Sequence, residues 1–179
     1  TIMCTKLTYS SYFILLLGLA LANAVNAQDA NLVGWWKLDE TSGTTARDSS
    51  SYGNDGTLEG GPQWVAGKVA GALDLDGTDD YIDCGDADIF NITEQITMAT
   101  WVSTRSSGNS QHKHYFGKGN NAYCIKENSW NNLEVVIYIG GWKVATSPLD
   151  SSFNNVWHHF AGTYDGNQIK LYMDGELVS

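Results

Sequence analysis

The chain has 179 residues, with 20 Asp and Glu against 10 Lys and Arg, and a formal net charge of −10. That balance argues against a nucleic-acid partner, because the chain offers few cations to release counterions from a phosphate backbone. It suits neutral glycans, cation sites or a basic partner, and equally an acidic surface that only keeps a domain soluble.

The first segment reads as a leader. Lys6 supplies a positive start, Tyr12 to Ala22 is apolar and uncharged, and Val25 and Ala27 are small. This is the layout of a secretory signal peptide over residues 1–27 with a cut before Gln28; a cut after Ala24 and an uncleaved anchor are the alternatives. A membrane span needs roughly 20 apolar residues, so none is expected after cleavage, and the expected location is secreted or cell-surface. Residues 28–179 keep all 20 acidic side chains and are long enough for one domain. Cys4 leaves with the leader. Cys84 and Cys124 remain, and in an exported chain they either form one disulfide or stay as separate buried thiols. They lack the two-plus-two pattern of a structural zinc site.

Beyond the leader no helical period is sustained. Short apolar runs alternate with Gly, Asn, Asp and Ser clusters, the pattern of an all-β sandwich. Val33 to Leu38 is the first expected strand, with Trp36 and Leu38 on one face and Trp35 and Lys37 on the other. Ala72 to Leu75 and Tyr81 to Cys84 flank the turn Asp76-Gly77-Thr78-Asp79. Gln95 to Val102 is apolar on both faces, with Ala99 and Trp101 opposite Ile96, Met98 and Val102, so it is expected to be covered on both sides. Tyr115 to Gly117 and Tyr123 to Lys126 form a hairpin around Gly119-Asn120-Asn121.

Leu133, Val135, Ile137 and Ile139 alternate with Asn132, Glu134, Val136 and Tyr138, as a half-exposed strand does. Lys143 to Thr146 is a weaker strand. Val156 to Tyr164 and Gln168 to Met173 are joined at Asp165-Gly166-Asn167, the strongest hairpin signal in the chain. Asp174-Gly175 turns into a further strand from Glu176. Trp36, Trp101 and Trp157 lie within strand patterns and are expected in the core.

Four segments in this order carry a resemblance: Gly34 to Leu58 (GWWKLDETSGTTARDSSSYGNDGTL), Gly71 to Gly85 (GALDLDGTDDYIDCG), Ile96 to Val102 (ITMATWV) and Trp157 to Val178 (WHHFAGTYDGNQIKLYMDGELV). Together they resemble the laminin-G-like jelly-roll domains of the concanavalin A-like lectin and glucanase superfamily. The resemblance implies an antiparallel two-sheet jelly-roll sandwich over residues 28–179. Such domains close with a strand of the type G-x-I-D-E-V-x-I-Y; none precedes Ser179, so the domain is expected to lack its closing strand. The fold hosts lectin-like, adhesive and catalytic proteins alike, so function must come from the sites.

Glucanases of the superfamily carry Glu-x-Asp-x-(x)-Glu on one strand, which sets a nucleophile and an acid on one face. The nearest spacing here is Asp74-Leu75-Asp76, with no glutamate after it, and Glu134 is alone on its strand. The chain is therefore expected not to be an enzyme. Asp48 to Gly56 is an oxygen-rich loop, and Asp48 and Asn54 are the candidate ligands of a structural calcium, which wants 6–8 oxygens. The alternative is an Asx turn satisfied by its own backbone. Asp76, Asp79 and Asp80 lack the EF-hand order. His158 and His159 read as packed or hydrogen-bonded strand residues, not as a metal pair. Trp130 and Trp142 flank turns beside polar residues and are the candidate ligand-binding platforms, since an exposed aromatic face stacks on a sugar ring. The expected function is a secreted carbohydrate-binding module within a larger extracellular protein. An adhesion or spacer module that binds protein and no sugar is the alternative, and a glycoside hydrolase is disfavoured.

Overall fold

The computed structural model describes residues 31–107, 112–119 and 121–179. The expected leader lies outside the described residues, and no helix among them is long and apolar enough to cross a membrane.

Among the described residues thirteen strands follow in chain order: β1 (Thr45–Ala46), β2 (Gly56–Glu59), β3 (Gln63–Ala66), β4 (Gly71–Asp74), β5 (Tyr81–Asp83), β6 (Ile96–Val102), β7 (Lys113–Gly117), β8 (Tyr123–Glu127), β9 (Asn132–Tyr138), β10 (Trp142–Pro148), β11 (His158–Tyr164), β12 (Ile169–Met173) and β13 (Glu176–Leu177). Two four-stranded sheets, ordered β10-β9-β8-β7 and β13-β12-β11-β6, form the sandwich. A three-stranded sheet β1-β2-β5 and the hairpin β3-β4 complete the all-β fold. Every pairing between named strands is antiparallel.

The core lies between the two larger sheets. Ile125, Leu133, Val135 and Ile137 of one sheet meet Ile96, Met98, Phe160 and Leu171 of the other, all of them buried. Alternation makes this possible, since every second residue of β8, β9, β11 and β12 points inward. The turns are fixed by local chemistry. In the β11–β12 hairpin, the Asp165 carboxylate accepts the N–H groups of Asn167 at 2.8 Å and Gln168 at 2.7 Å. Asp174 (φ 50°) and Gly175 (φ 87°) are both left-handed between β12 and β13, as a tight hairpin requires.

Three expectations are corrected. Val33 to Leu38 is not a strand; only Trp36 makes an isolated bridge, to Asp48. Leu38 turns to φ 59°, which ends any extended run, and the Trp35 N–H goes to the Asp48 carboxylate instead of a ladder. The expected faces still hold at side-chain level: Lys37 Nζ sits 4.4 Å over the Trp35 ring, while Trp36 packs against Phe90 and Phe116.

Second, β6 is not covered on both sides. Thr97, Ala99 and Trp101 face outward, and Trp101 is 43 % exposed, where the sequence pattern assigns it to the core. Its ring is sheltered by neighbours, 5.2 Å from His159 across the ladder and beneath Lys68 Nζ at 5.7 Å. Third, β9 is the better buried strand, for Val136 is buried on its outer face beside buried Cys124 of β8. Trp157 is half-buried.

Cys84 and Cys124 remain thiols, with no disulfide between them. Cys84 follows β5 in the three-stranded sheet, whereas Cys124 sits on β8 in the sandwich. Burial, helped by the negative charges of Asp83 and Asp48, pushes the Cys84 thiol up to about 11, and burial raises Cys124 as well. Thiolate is the reactive form. Iodoacetamide at neutral pH is therefore expected to leave Cys84 unmodified in the folded protein and to label it in urea, as read by mass spectrometry. Because the folded value lies above the ordinary 9.0, this group's stabilising contribution is complete below about pH 9 and is lost as the pH climbs to about 11.

Candidate binding site

Two exposed aromatic rings stand side by side on the sheet β10-β9-β8-β7. Trp142 opens β10 opposite Tyr138, the last residue of β9. Their centroids are 5.0 Å apart in an edge-on arrangement, and they are 54 % and 47 % exposed. The turn that brings them together depends on Gly140 and Gly141, with φ of 61° and 140°, and on the Ile139 N–H donated to the Gly141 carbonyl at 3.1 Å. Val144, two residues along the same face, is exposed too.

Trp130 is more exposed still, at 78 %. It rides a turn built by Asn128, whose side-chain oxygen accepts the N–H of Trp130 at 2.8 Å and of Asn132 at 3.1 Å, while Asn131 takes φ 62°. Asn128 is buried, so the turn is anchored from below. The structure therefore exposes both tryptophans singled out from the sequence, but does not bring them together. Trp130 lies at one end of β9 and Trp142 at the other, roughly 20 Å apart at the usual rise of a strand.

Sequence pattern alone missed two contributors. Tyr138 reads there as an ordinary outward residue, and only the cross-strand register pairs it with Trp142. Glu127, beneath the Trp130 turn, is 0 % exposed and points into the sandwich. Its carboxylate takes Lys113 Nζ at 3.1 Å and the Tyr115 hydroxyl at 3.0 Å. Burial, then the nearby Glu127 charge, holds the Tyr115 hydroxyl well above its ordinary range. The signal available was a Glu at an inward position of β8, in phase with Tyr123 and Ile125.

The Asp48 loop is organised around its own backbone. One carboxylate oxygen of Asp48 accepts the N–H groups of Trp35 and Ser50, each at 2.8 Å; the other accepts the Ser50 hydroxyl at 2.6 Å and the Asn54 N–H at 2.9 Å. Burial pushes this carboxyl up, but the bonds from Ser50, Trp35 and Asn54 outweigh it and hold it below 3.8. The Asn54 carbonyl accepts the Trp36 indole N–H at 2.9 Å. A cation at Asp48 would face donors already aimed at both oxygens, so this donor set does not fit calcium without rearrangement. Asp48 instead fastens the Trp35–Trp36 segment to the loop ahead of β2.

Elsewhere the carboxylates sit in separate local roles. Asp74 pairs with Arg105. Asp76 accepts the Thr78 N–H at 2.7 Å, and Asp80 accepts the Asp76 N–H at 2.9 Å, which draws one oxygen each of Asp76, Asp79 and Asp80 within 4.8 Å of one another. Glu134 lies 3.8 Å from Lys126 Nζ. Asp174 holds His158 Nδ1 at 2.7 Å and the His159 N–H at 2.8 Å, and the His158 ring packs on Phe153 and Phe160, the packed and hydrogen-bonded setting expected from the strand pattern.

Comparison with known proteins bears on this arrangement. A laminin-G family model described as the concanavalin A-like lectin/glucanases superfamily matches residues 76–179. Among solved structures, the chain is similar to residues 221–444 of an S-layer domain-containing protein from Clostridium thermocellum, at 25 % identity and a TM-score of 0.51. That match covers 82 % of this chain and 70 % of the other. No curated protein matches the sequence.

Proposed function

Because the chain belongs to the concanavalin A-like lectin/glucanase superfamily, we propose that it is a non-catalytic carbohydrate-binding module working outside the cell. The observation that carries this reading is the Trp142–Tyr138 pair, two large rings held edge to face on an open sheet margin. An aromatic face turned to solvent offers the apolar side of a sugar ring a stacking surface while the sugar hydroxyls stay wet. Asp74 is paired with Arg105 and Glu134 lies against Lys126, which supports binding without cleavage. The S-layer protein to which the chain is similar supports a cell-surface setting.

Glycan-array binding followed by calorimetry on the strongest hit tests the reading. Trp142→Ala is expected to weaken binding about tenfold, the equivalent of about 1.4 kcal/mol of lost stacking. The same change should shift stability by no more than about 0.5 kcal/mol, since the ring is exposed. Unchanged affinity in Trp142→Ala and in Trp130→Ala would remove both platforms. The exposed Val144 beside Trp142 favours a second reading, adhesion to a protein surface. Silence on the array with capture of a surface protein through the Trp142 face would support that one.

A further inference from the structure

Asn91-Ile92-Thr93 is the only triplet of the form Asn-x-Ser/Thr in the sequence, and its middle residue is not proline. In an exported chain that pattern marks an asparagine able to accept a glycan, provided the triplet lies on a surface loop. The fold meets this condition. Asn91 ends the short 3₁₀ turn Asp88–Phe90, and the triplet runs through the connection ahead of β6. Phe90 is buried and Ile92 packs against the sandwich core, so the segment is pinned on both sides of Asn91. Asn91 and Thr93 are both exposed. The amide to be modified and the hydroxyl residue that completes the motif are thus both open to solvent, on a loop that its apolar neighbours hold in place.

The local structural work of Asn91 is done by its backbone. Its N–H donates to the Asp88 carbonyl at 2.9 Å and closes the turn, with φ −80° and ψ 60°. The side chain is held lightly. Its Nδ2 lies 3.4 Å from the Asp88 carboxylate, at the long end for a hydrogen bond, and its Oδ1 accepts Lys118 Nζ. Lys118 is itself anchored on Asp86 at 2.6 Å. A substituent on Nδ2 leaves the amide its oxygen and one N–H, so both contacts survive the attachment. Asn128 shows the opposite case, a buried side chain that builds the Trp130 turn and has no room for a substituent.

We propose that Asn91 is a site of N-linked glycosylation. The co-substrate is an oligosaccharide carried on a lipid pyrophosphate. Asn91 Nδ2 bonds to the anomeric carbon, the bond from that carbon to the pyrophosphate oxygen breaks, and the lipid pyrophosphate departs with the electron pair. The proton lost from the amide passes to a base of the transferring enzyme. The inference shares with the proposed function only the export of the chain, and it asks nothing of the Trp142–Tyr138 rings.

The test expresses the whole chain behind an added secretory leader in cultured mammalian cells, so that the result does not depend on residues 1–27. Mass spectrometry of the exported chain is expected to show the polypeptide plus one oligosaccharide. Peptide-N-glycosidase should return it to the bare mass with an aspartate in place of Asn91. Asn91→Gln and Thr93→Ala should each lose the heavier form, whereas Thr93→Ser, which keeps the hydroxyl, should retain it. Chain held back in the lumenal fraction of the cells is read in the same way. A bare chain in both fractions would overturn the proposal, as would a glycan that persists in Asn91→Gln. A bare chain that still binds the glycan array would leave the proposed function standing, and a glycosylated chain silent on the array would uphold the site and remove that function.

Discussion

Gly162→Ala is expected to destabilise the domain by about 1–3 kcal/mol, although alanine is normally the better residue for a folded chain. Gly162 lies on β11 against β9 of the opposite sheet, and a Cβ built there would sit 2.5 Å and 2.6 Å from the two methyl carbons of Val135 on β9. Those methyls belong to a fully buried, β-branched side chain without a free end to swing away. Two effects compete. Removing a glycine from the unfolded chain gains about 0.4–1 kcal/mol, whereas overpacking a filled core costs about 1–3 kcal/mol, so the clash wins. Val135→Ala makes room on the opposite sheet, and the double variant should lose less than the sum of the singles. Urea unfolding of the four proteins measures this, and strict additivity would mean that the sheets do not meet at Gly162.

Lys113→Met is the second large effect, an expected loss of about 3 kcal/mol. Glu127 is wholly buried, and Lys113 supplies the opposite charge within the sandwich. Removing one member of a buried pair costs about 3–5 kcal/mol, and the lower end applies here because the Lys113 side chain is 21 % exposed. Lys113→Met with Glu127→Leu should recover most of the loss, since the charge left behind does the damage, not the missing attraction. Glu127 directly precedes Asn128, which builds the Trp130 turn, so the single variant should also broaden the Trp130 indole resonance while that of Trp142 stays sharp. Equal loss of stability in the single and double variants would contradict this account.

The strands from β6 to β12 were legible because each is bounded by chemistry that acts over a few residues. Asp165-Gly166-Asn167 closes its own turn with a carboxylate and a left-handed glycine, and the alternation of Leu133, Val135 and Ile137 selects one face whatever lies opposite. The strands β1, β2 and β3 were not legible. Each has four residues or fewer, too few for a period to show, and β2 is completed by β5, a partner distant along the chain.

The sequence by itself determined that the chain is all-β, which residues share a face, and that Trp130 and Trp142 sit at turns where rings stay in water. Only the tertiary structure decided which of two apolar faces is covered, so that Val136 is buried while Trp101 is not. It also decided that Tyr138 joins Trp142, that Glu127 meets Lys113, and that Asp48 serves its own loop. The reason is physical. A two-residue period sorts side chains to opposite sides of a strand through local backbone geometry, but what lies on each side is set by layers and loops from elsewhere in the chain.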